Sequence, residues 1–305
     1  MSVGGVPARV RAASATEIRI IVPATAPAGV QSIFIDDGLT SEVVVASLVA
    51  AGVHMVDSAV FDHRGRLYVT HSGSRGVKVP VPLFRVRADG GKEPVAVDIA
   101  NATSMAVAPD GALFVSSRFD GHVYRVGPDD RAEVYATELG VPTGLAVASD
   151  GTLYVGDRSG SIFKVTPNRQ VETFASLPAS VAAFHLAFGP DDALYVTAPT
   201  LSSHDVLYRI SKDRLVDTVA DGFGRPQGLA FDADGRLYVV DALAGAAGLY
   251  RLDVSGTSST PELLASAAAL VGVTFDPAGG IVLAATDAVW RLDVPLTPLV
   301  TRHAG

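Results

Sequence analysis

Asp57, His185 and Gln227 stand where the rest of this chain carries small or apolar residues. Six stretches align with one another: "DSAVFDHRGRLYV" (57–69), "TSMAVAPDGALFV" (103–115), "TGLAVASDGTLYV" (143–155), "FHLAFGPDDALYV" (184–196), "QGLAFDADGRLYV" (227–239) and "VGVTFDPAGGIVL" (271–283). Their first column reads Asp57, Thr103, Thr143, Phe184, Gln227 and Val271, and their second Ser58, Ser104, Gly144, His185, Gly228 and Gly272. Packing alone does not call for a carboxylate, an imidazole and an amide in such columns. Brought to one point, they could polarise a carbonyl and position a water. Histidine titrates near neutral pH and suits general acid or base work, and a neighbouring carboxylate supports its charged form. His185 is therefore expected as the base, Asp57 as the group that polarises the electrophile, and Gln227 as the group that orients it.

A second set of residues is expected to face a ligand. His71, Ser117, Asp157, Ala198, Asp241 and Ala285 form another column, thirteen or fourteen residues further along each repeat. From it come His71, Asp157 and Asp241; Thr103, Thr143 and Phe184 come from the first column. Asp157 and Asp241 also have a plainer role open to them, because an Asp directly after a strand commonly caps a turn. His71 opens an insertion over 71–82, and "APTLSSHDV" (198–206) with His204 is the other long connection; both could cover a site. His54, His63 and His122 read as solvated or turn positions, and His303 as part of a loose tail.

The elements that must position these residues follow from the repeat. Each stretch is an apolar alternation, a turn and a second alternation, which is a hairpin signal. The turn residues Gly65, Gly111, Gly151, Asp192, Gly235 and Gly279 are 46, 40, 41, 43 and 44 residues apart. A third strand follows each hairpin as "LFRV", "VYRV", "IFKV", "LYRI", "LYRL" or "VWRL", with an aromatic and then a cation. These pairs predict packing between units with an exposed cation, and no stacking platform for nucleic acid. A fourth strand follows in most copies, as in "AEVYATEL" (132–139). Four strands every 40–46 residues, six times over, predict an all-β, six-bladed β-propeller over 41–300.

The last copy has no good fourth strand in "PLTPLVTRHAG" (295–305). "SEVVVASLVAAGVHMVDSAVF" (41–61) matches "AEVYATELGVPTGLAV" (132–147), so 42–48 is expected to supply that strand and close the ring. Residues 1–40 stand outside the repeat as a short β segment, with strands "EIRIIVP" (17–23) and "QSIFIDD" (31–37) joined by "ATAPAG".

Composition narrows the partners. The 305 residues include no cysteine, which excludes thiolate metal sites, disulfides and cysteine nucleophiles. Net charge is −8, and Lys and Arg are scattered singly. That argues against nucleic acid or an anionic membrane and favours a small neutral, cationic or weakly polar ligand. Mean hydropathy is +0.32, but the longest apolar run, 43–53, is too short to span a bilayer. No apolar signal-peptide core is present at the N-terminus. A periplasmic or secreted location for a fuller protein stays open, and a monomer is expected. "NAT" at 101–103 is a glycosylation sequon. No P-loop, dinucleotide fingerprint or nucleophile elbow is present.

"GVPTGLAVASDGTLYVGDRSGSIFKV" and "GRPQGLAFDADGRLYVVDALAGAAGLYRL" resemble NHL-type blades and those of the senescence-marker/gluconolactonase superfamily of six-bladed propellers. The resemblance covers about 42–295. The 1–40 segment resembles the C-terminal half of an IPT/TIG immunoglobulin-like domain. The superfamily implies lactonases, arylesterases, organophosphate-cleaving hydrolases, a streptogramin lyase and strictosidine-synthase-like proteins, many of the hydrolases holding a divalent cation, often calcium, in the channel. Of the gluconolactonase ligand pattern, Asp57 stands for a glutamate, Thr143 and Phe184 occupy two asparagine places, and Gln227 replaces an aspartate. This is a thin donor set for a hard cation, which prefers six or more oxygens. A bound metal would rest on Asp57, joined by Asp157 or Asp241 if these reach inward. Without one, His185 becomes the centre of any chemistry.

Two readings follow. One is a hydrolase of lactones or related activated esters, phosphotriesters included, at the mouth of the channel, with a propeller lyase as a variant. The other is a non-catalytic propeller that binds a small ligand or a protein.

Overall fold

A computed structural model describes residues 1–15, 18–35, 38, 40–243, 246–254 and 260–293. All of its regular structure is β, and no helix among the described residues is long and apolar enough to cross a membrane. The repeats form six successive four-stranded antiparallel sheets, called here blades I to VI. Their innermost strands are Val60–Phe61, Ala102–Val107, Pro142–Val147, His185–Phe188, Pro226–Phe231 and Leu270–Phe275. Adjacent inner strands pack on one another, and Val273 of blade VI donates its amide to Ser58 Oγ ahead of the first strand of blade I at 3.2 Å. The chain is thus a β-propeller.

The repeated residues explain why the blades stack. A second-strand tyrosine of one blade meets a first-strand phenylalanine of the next, edge to face: Tyr154 with Phe188, Tyr195 with Phe231, and Tyr238 with Phe275, at 5.2, 4.9 and 5.0 Å between ring centroids. Such pairs add about 0.5–1.5 kcal/mol each beyond their buried area. The third-strand aromatics Phe84, Tyr124, Phe163, Tyr208, Tyr250 and Trp290 all pack against the inter-blade cores. The cations beside them are all paired with carboxylates: Arg85 with Glu93 and Asp130, Arg125 with Asp110, Lys164 with Glu172, Arg209 with Asp191, Arg251 with Glu262 and Arg291 with Asp276. In the fourth hairpin, where the other five turns carry glycine, Asp192 holds φ at 56°. Aspartate is among the few side chains that tolerate this left-handed conformation.

The ring is closed by an early strand, displaced from the expected position. Ser47–Ala51 pairs antiparallel with Ala288–Leu292 as the outer strand of blade VI. Thr40–Val45, which overlaps the predicted 42–48, instead pairs with Gly29–Phe34 in a separate sheet with Ser2–Val3 and Val6–Pro7. "SEVVVASLVAA" is apolar from Val43 to Ala51 apart from Ser47, and such a run does not say which part belongs to which sheet. The two predicted N-terminal strands are also not partners of each other: Ile18–Ile21 pairs with Arg9–Ala13. Pro23 and Pro27 between them carry no amide hydrogen to continue a ladder. The expected absence of a strand in 295–305, and His303, lie outside the described residues.

Candidate functional site

In a propeller the first strand lines the axis, and register puts its start at the same end as the finish of the second strand. Ala102 pairs with Ser117, Pro142 with Asp157, His185 with Thr197 and Pro226 with Asp241. At this end the inner strands approach so closely that side chains are excluded. A Cβ on Gly272 would lie 2.3 Å from Ser58 Cα, and one on Gly144 would lie 2.4 Å from the Phe184 carbonyl oxygen. The small residues of the second column are thus a packing requirement.

His185 is the exception, and its partner lies across the ring. His185 Nδ1 is 2.6 Å from Asp57 Oδ1, which joins blade IV to blade I. For this contact to be a hydrogen bond to a carboxylate acceptor, the donor is Nδ1–H. Asp57 Oδ1 also accepts from the Ser58 amide at 2.6 Å, and Ser104 Oγ–H donates to Asp57 Oδ2. Ser104 Oγ in turn accepts from the Leu145 amide of blade III at 3.1 Å. Thr143 Oγ1 accepts the Phe184 amide at 2.9 Å, and Thr197 Oγ1–H donates to the Gln227 carbonyl at 2.6 Å. Hydrogen bonds thus run from blade VI through I to V around this end, with one strut across it. His185 is 1% exposed and Asp57 7%, and His185 Nε2 is buried with no hydrogen-bond partner.

The other expected residues fall elsewhere. Phe184 is fully buried in the core between blades III and IV, where its side chain packs. Asp157 accepts from the Val141 amide at 2.7 Å and from Ser159 Oγ. Asp241 accepts from the Gly224, Arg225 and Leu243 amides at 2.7, 2.9 and 2.8 Å. Both carboxylates are spent on capping turns. Thr103 Oγ1–H donates to the Asn101 carbonyl at 2.8 Å, away from Asp57. His71 sits edge-on to His54 with ring centroids 6.2 Å apart, beside the pair's blade I strand but not in the strut. Gln227 is buried, and its main-chain carbonyl accepts from Thr197 Oγ1–H. Asn101 of the sequon is fully buried.

Two cavities, of about 430 and 620 Å³, open at the opposite, hairpin end. The first lies between blades II and III beside Phe114 and Tyr135, the second beside Val60, Val107 and Phe275, and neither reaches Asp57 or His185. The donor set does not fit a divalent cation. No group of three or more His, Asp or Glu among the described residues could hold one, and both Asp57 oxygens already accept hydrogen bonds. Sequence reasoning noted Ser104 only as small; its hydroxyl in a column half made of glycine was the signal for a carboxylate nearby.

No family model matches the chain, and no curated protein does. Solved structures do match. A gluconolactonase from Xanthomonas campestris is 18% identical at a TM-score of 0.67, covering 81% of this chain and 89% of that one. A catalytically inactive virginiamycin B lyase from Staphylococcus aureus, with quinupristin, is 17% identical at 0.59, covering 87% and 88%. An auxiliary nutrient binding protein from Bacteroides ovatus is 14% identical at 0.62, covering 95% and 90%. The chain therefore shares the β-propeller fold of these proteins. At these identities the likeness shows the fold alone, and the similar structures span a hydrolase, a lyase and a binding protein.

Proposed function

We propose that this propeller hydrolyses lactones or related activated esters, with His185 as general base. The observation that supports this is the Asp57–His185 pair, in which Nδ1 is held at 2.6 Å and Nε2 is left without a partner. A buried polar atom without a partner costs about 1–3 kcal/mol, which a purely structural histidine would be expected to avoid. In the step this arrangement suits, Nε2 takes a proton from water as the water oxygen bonds to the carbonyl carbon. The ester C–O bond then breaks, and the same proton passes from Nε2 to the leaving oxygen. Asp57 fixes the tautomer and stabilises the imidazolium that forms. Gln227, at the same end of the ring, is proposed to orient the carbonyl. The chemistry assigned here calls on no metal.

A second reading is supported by burial. His185 is almost inaccessible. On this reading the pair braces the ring of a non-catalytic binding propeller. A panel of lactones, aryl esters and phosphotriesters, assayed with and without chelator on the wild type and His185→Asn, separates the two. The hydrolase reading expects turnover that survives chelator and falls by about 10²–10⁴ in kcat in the variant. Full activity in a folded His185→Asn protein, or no turnover of any substrate, favours the brace.

A further inference from the structure

We propose that the connections following the second strands of blades I to III form an oxyanion-binding site. Arg118 and Arg158 are its direct ligands and Arg75 its third cation, and it takes an organic phosphate or carboxylate whose apolar body rests on Phe119 and Val77. This claim concerns binding and stands apart from the hydrolase reading.

Arg118 and Arg158 occupy equivalent places, each one residue beyond the second strand of its blade, Leu113–Ser117 in blade II and Leu153–Asp157 in blade III. Both are anchored in the same manner. Arg118 Nη2–H donates to the Gly73 carbonyl at 3.2 Å, and Arg158 Nη2–H to the Val181 carbonyl at 2.8 Å. In both, Nε is buried and has no partner. Each guanidinium therefore has one donor fixed and another desolvated and unused.

No carboxylate compensates them. Every third-strand cation pairs with an acid, whereas Arg75, Arg118 and Arg158 make no ion pair among the described residues, in a chain of net charge −8. The acids nearest in sequence are engaged otherwise: Asp120 accepts from Ser117 Oγ and Tyr124 Oη, both at 3.0 Å, and Asp157 from the Val141 amide and Ser159 Oγ. Burial, then the charges of Arg158 and Arg75, hold Arg118 below the usual guanidinium range. His54 is held low by burial, then by Arg118 and His71, so the positive groups gather in one place. Uncompensated, partly buried charges cost free energy, and an oxyanion is the ligand that would relieve it, since a guanidinium fork matches phosphate and carboxylate geometry.

The surroundings are preformed. Asn101 Nδ2 donates to the Ser72 and Ser74 carbonyls at 2.6 and 2.9 Å, and its Oδ1 accepts the Gly76 amide at 2.7 Å, which pins the 71–82 insertion that carries Arg75 and Val77. Phe119 packs against that loop, where a Cβ on Gly76 would lie 3.1 Å from its ring. Phe119 and Val77 are both 54% exposed. An apolar rim beside a cationic centre favours an anion with an organic body over a bare inorganic ion.

Calorimetric titration with phenyl phosphate, benzoate and inorganic phosphate tests this. The wild type should bind phenyl phosphate or benzoate saturably at one site, more tightly than inorganic phosphate, with affinity that falls as salt rises. Arg118→Ala and Arg158→Ala should each weaken binding at least about tenfold, and Phe119→Ala should remove the preference for the organic anions. Arg64→Ala, at the hairpin end, should change nothing. If an alanine variant melts early, Arg118→Lys keeps the charge but loses the fork, and should bind more weakly than wild type while folding normally. Absence of saturable binding at millimolar ligand, or wild-type affinity in folded Arg118→Lys and Arg158→Ala, would overturn the proposal.

Discussion

The Asp57 carboxylate and the His185 imidazole meet across the ring at 2.6 Å, although 128 residues separate them. Ser58 and Ser104 complete the carboxylate's partners. Asp57→Ala would leave the His185 Nδ1–H, the Ser104 hydroxyl and the Ser58 amide unsatisfied in a buried place. A loss of about 2–4 kcal/mol is expected, larger than that of an ordinary surface change. Thermal or urea unfolding checks it, and a loss under about 0.5 kcal/mol would show that the strut contributes nothing of this kind.

The strand contacts at the same end make a separate prediction. Gly272→Ala would drive a methyl group into the Ser58 backbone, and Gly144→Ala into the Phe184 carbonyl. Backbone cannot swing aside as a flexible side chain can, so each change should cost about 1–3 kcal/mol. Gly279→Ala serves as a contrast in space, since its Cβ would meet nothing within 4 Å and its cost comes from φ of 94° alone. Melting temperatures of the three variants should rank accordingly, with Gly279→Ala the mildest.

Acid should weaken the fold through His54. Burial first, then Arg118 and His71, keep its pKa below 6.5 in the folded chain. As pH falls past 6.5 the unfolded chain binds the proton before the folded one does. Stability is therefore undiminished above the unfolded pKa and is lost as pH falls from there through the folded pKa. His54→Gln should flatten that part of a stability–pH curve between about pH 7 and 5. An unchanged slope in the variant would assign the acid sensitivity to other groups.

Truncation distinguishes the two early strands. Removing residues 1–45 takes away Thr40–Val45 but leaves Ser47–Ala51 on blade VI, and the propeller should stay folded. Removing 1–51 strips the outer strand and bares the edge of Ala288–Leu292, so lower melting and aggregation are expected. Gel filtration of both proteins reads the difference; equal behaviour would deny the strand its part in closure.

The propeller was legible because each blade restates one pattern, the hairpin alternation with its aromatic and cation, and six restatements overrule any local ambiguity. That the closing strand starts at Ser47 and not at Glu42 was not legible, because Glu42–Val45 and Ser47–Ala50 are both a polar residue followed by an apolar run, and only pairing decides between them. Asp57 and His185 stood out as exceptions to a small-residue column. Their meeting was not legible, because no spacing in a repeat states which copies face each other across a ring. Asp157 and Asp241 looked like ligands by position, yet backbone amides had claimed their oxygens. Arg118 and Arg158 were hidden by averaging: single arginines 40 residues apart in an acidic chain give no basic run, and only the propeller sets them at equivalent places on successive blades.

Ser47 Oγ reaches the Arg291 carbonyl 244 residues later. The strand that completes blade VI is thus made before blades I to V, and the strand it pairs with after them. Blades II to V can assemble from local hairpins as they emerge, but Ser47–Ala51 must wait with an unpaired edge until Ala288–Leu292 has been made. Ring closure is therefore a late, long-range event, of the kind that slows folding and prolongs exposure to misassembly. The Asp57–His185 contact, which needs blades I and IV in their final places, would report when that event has occurred.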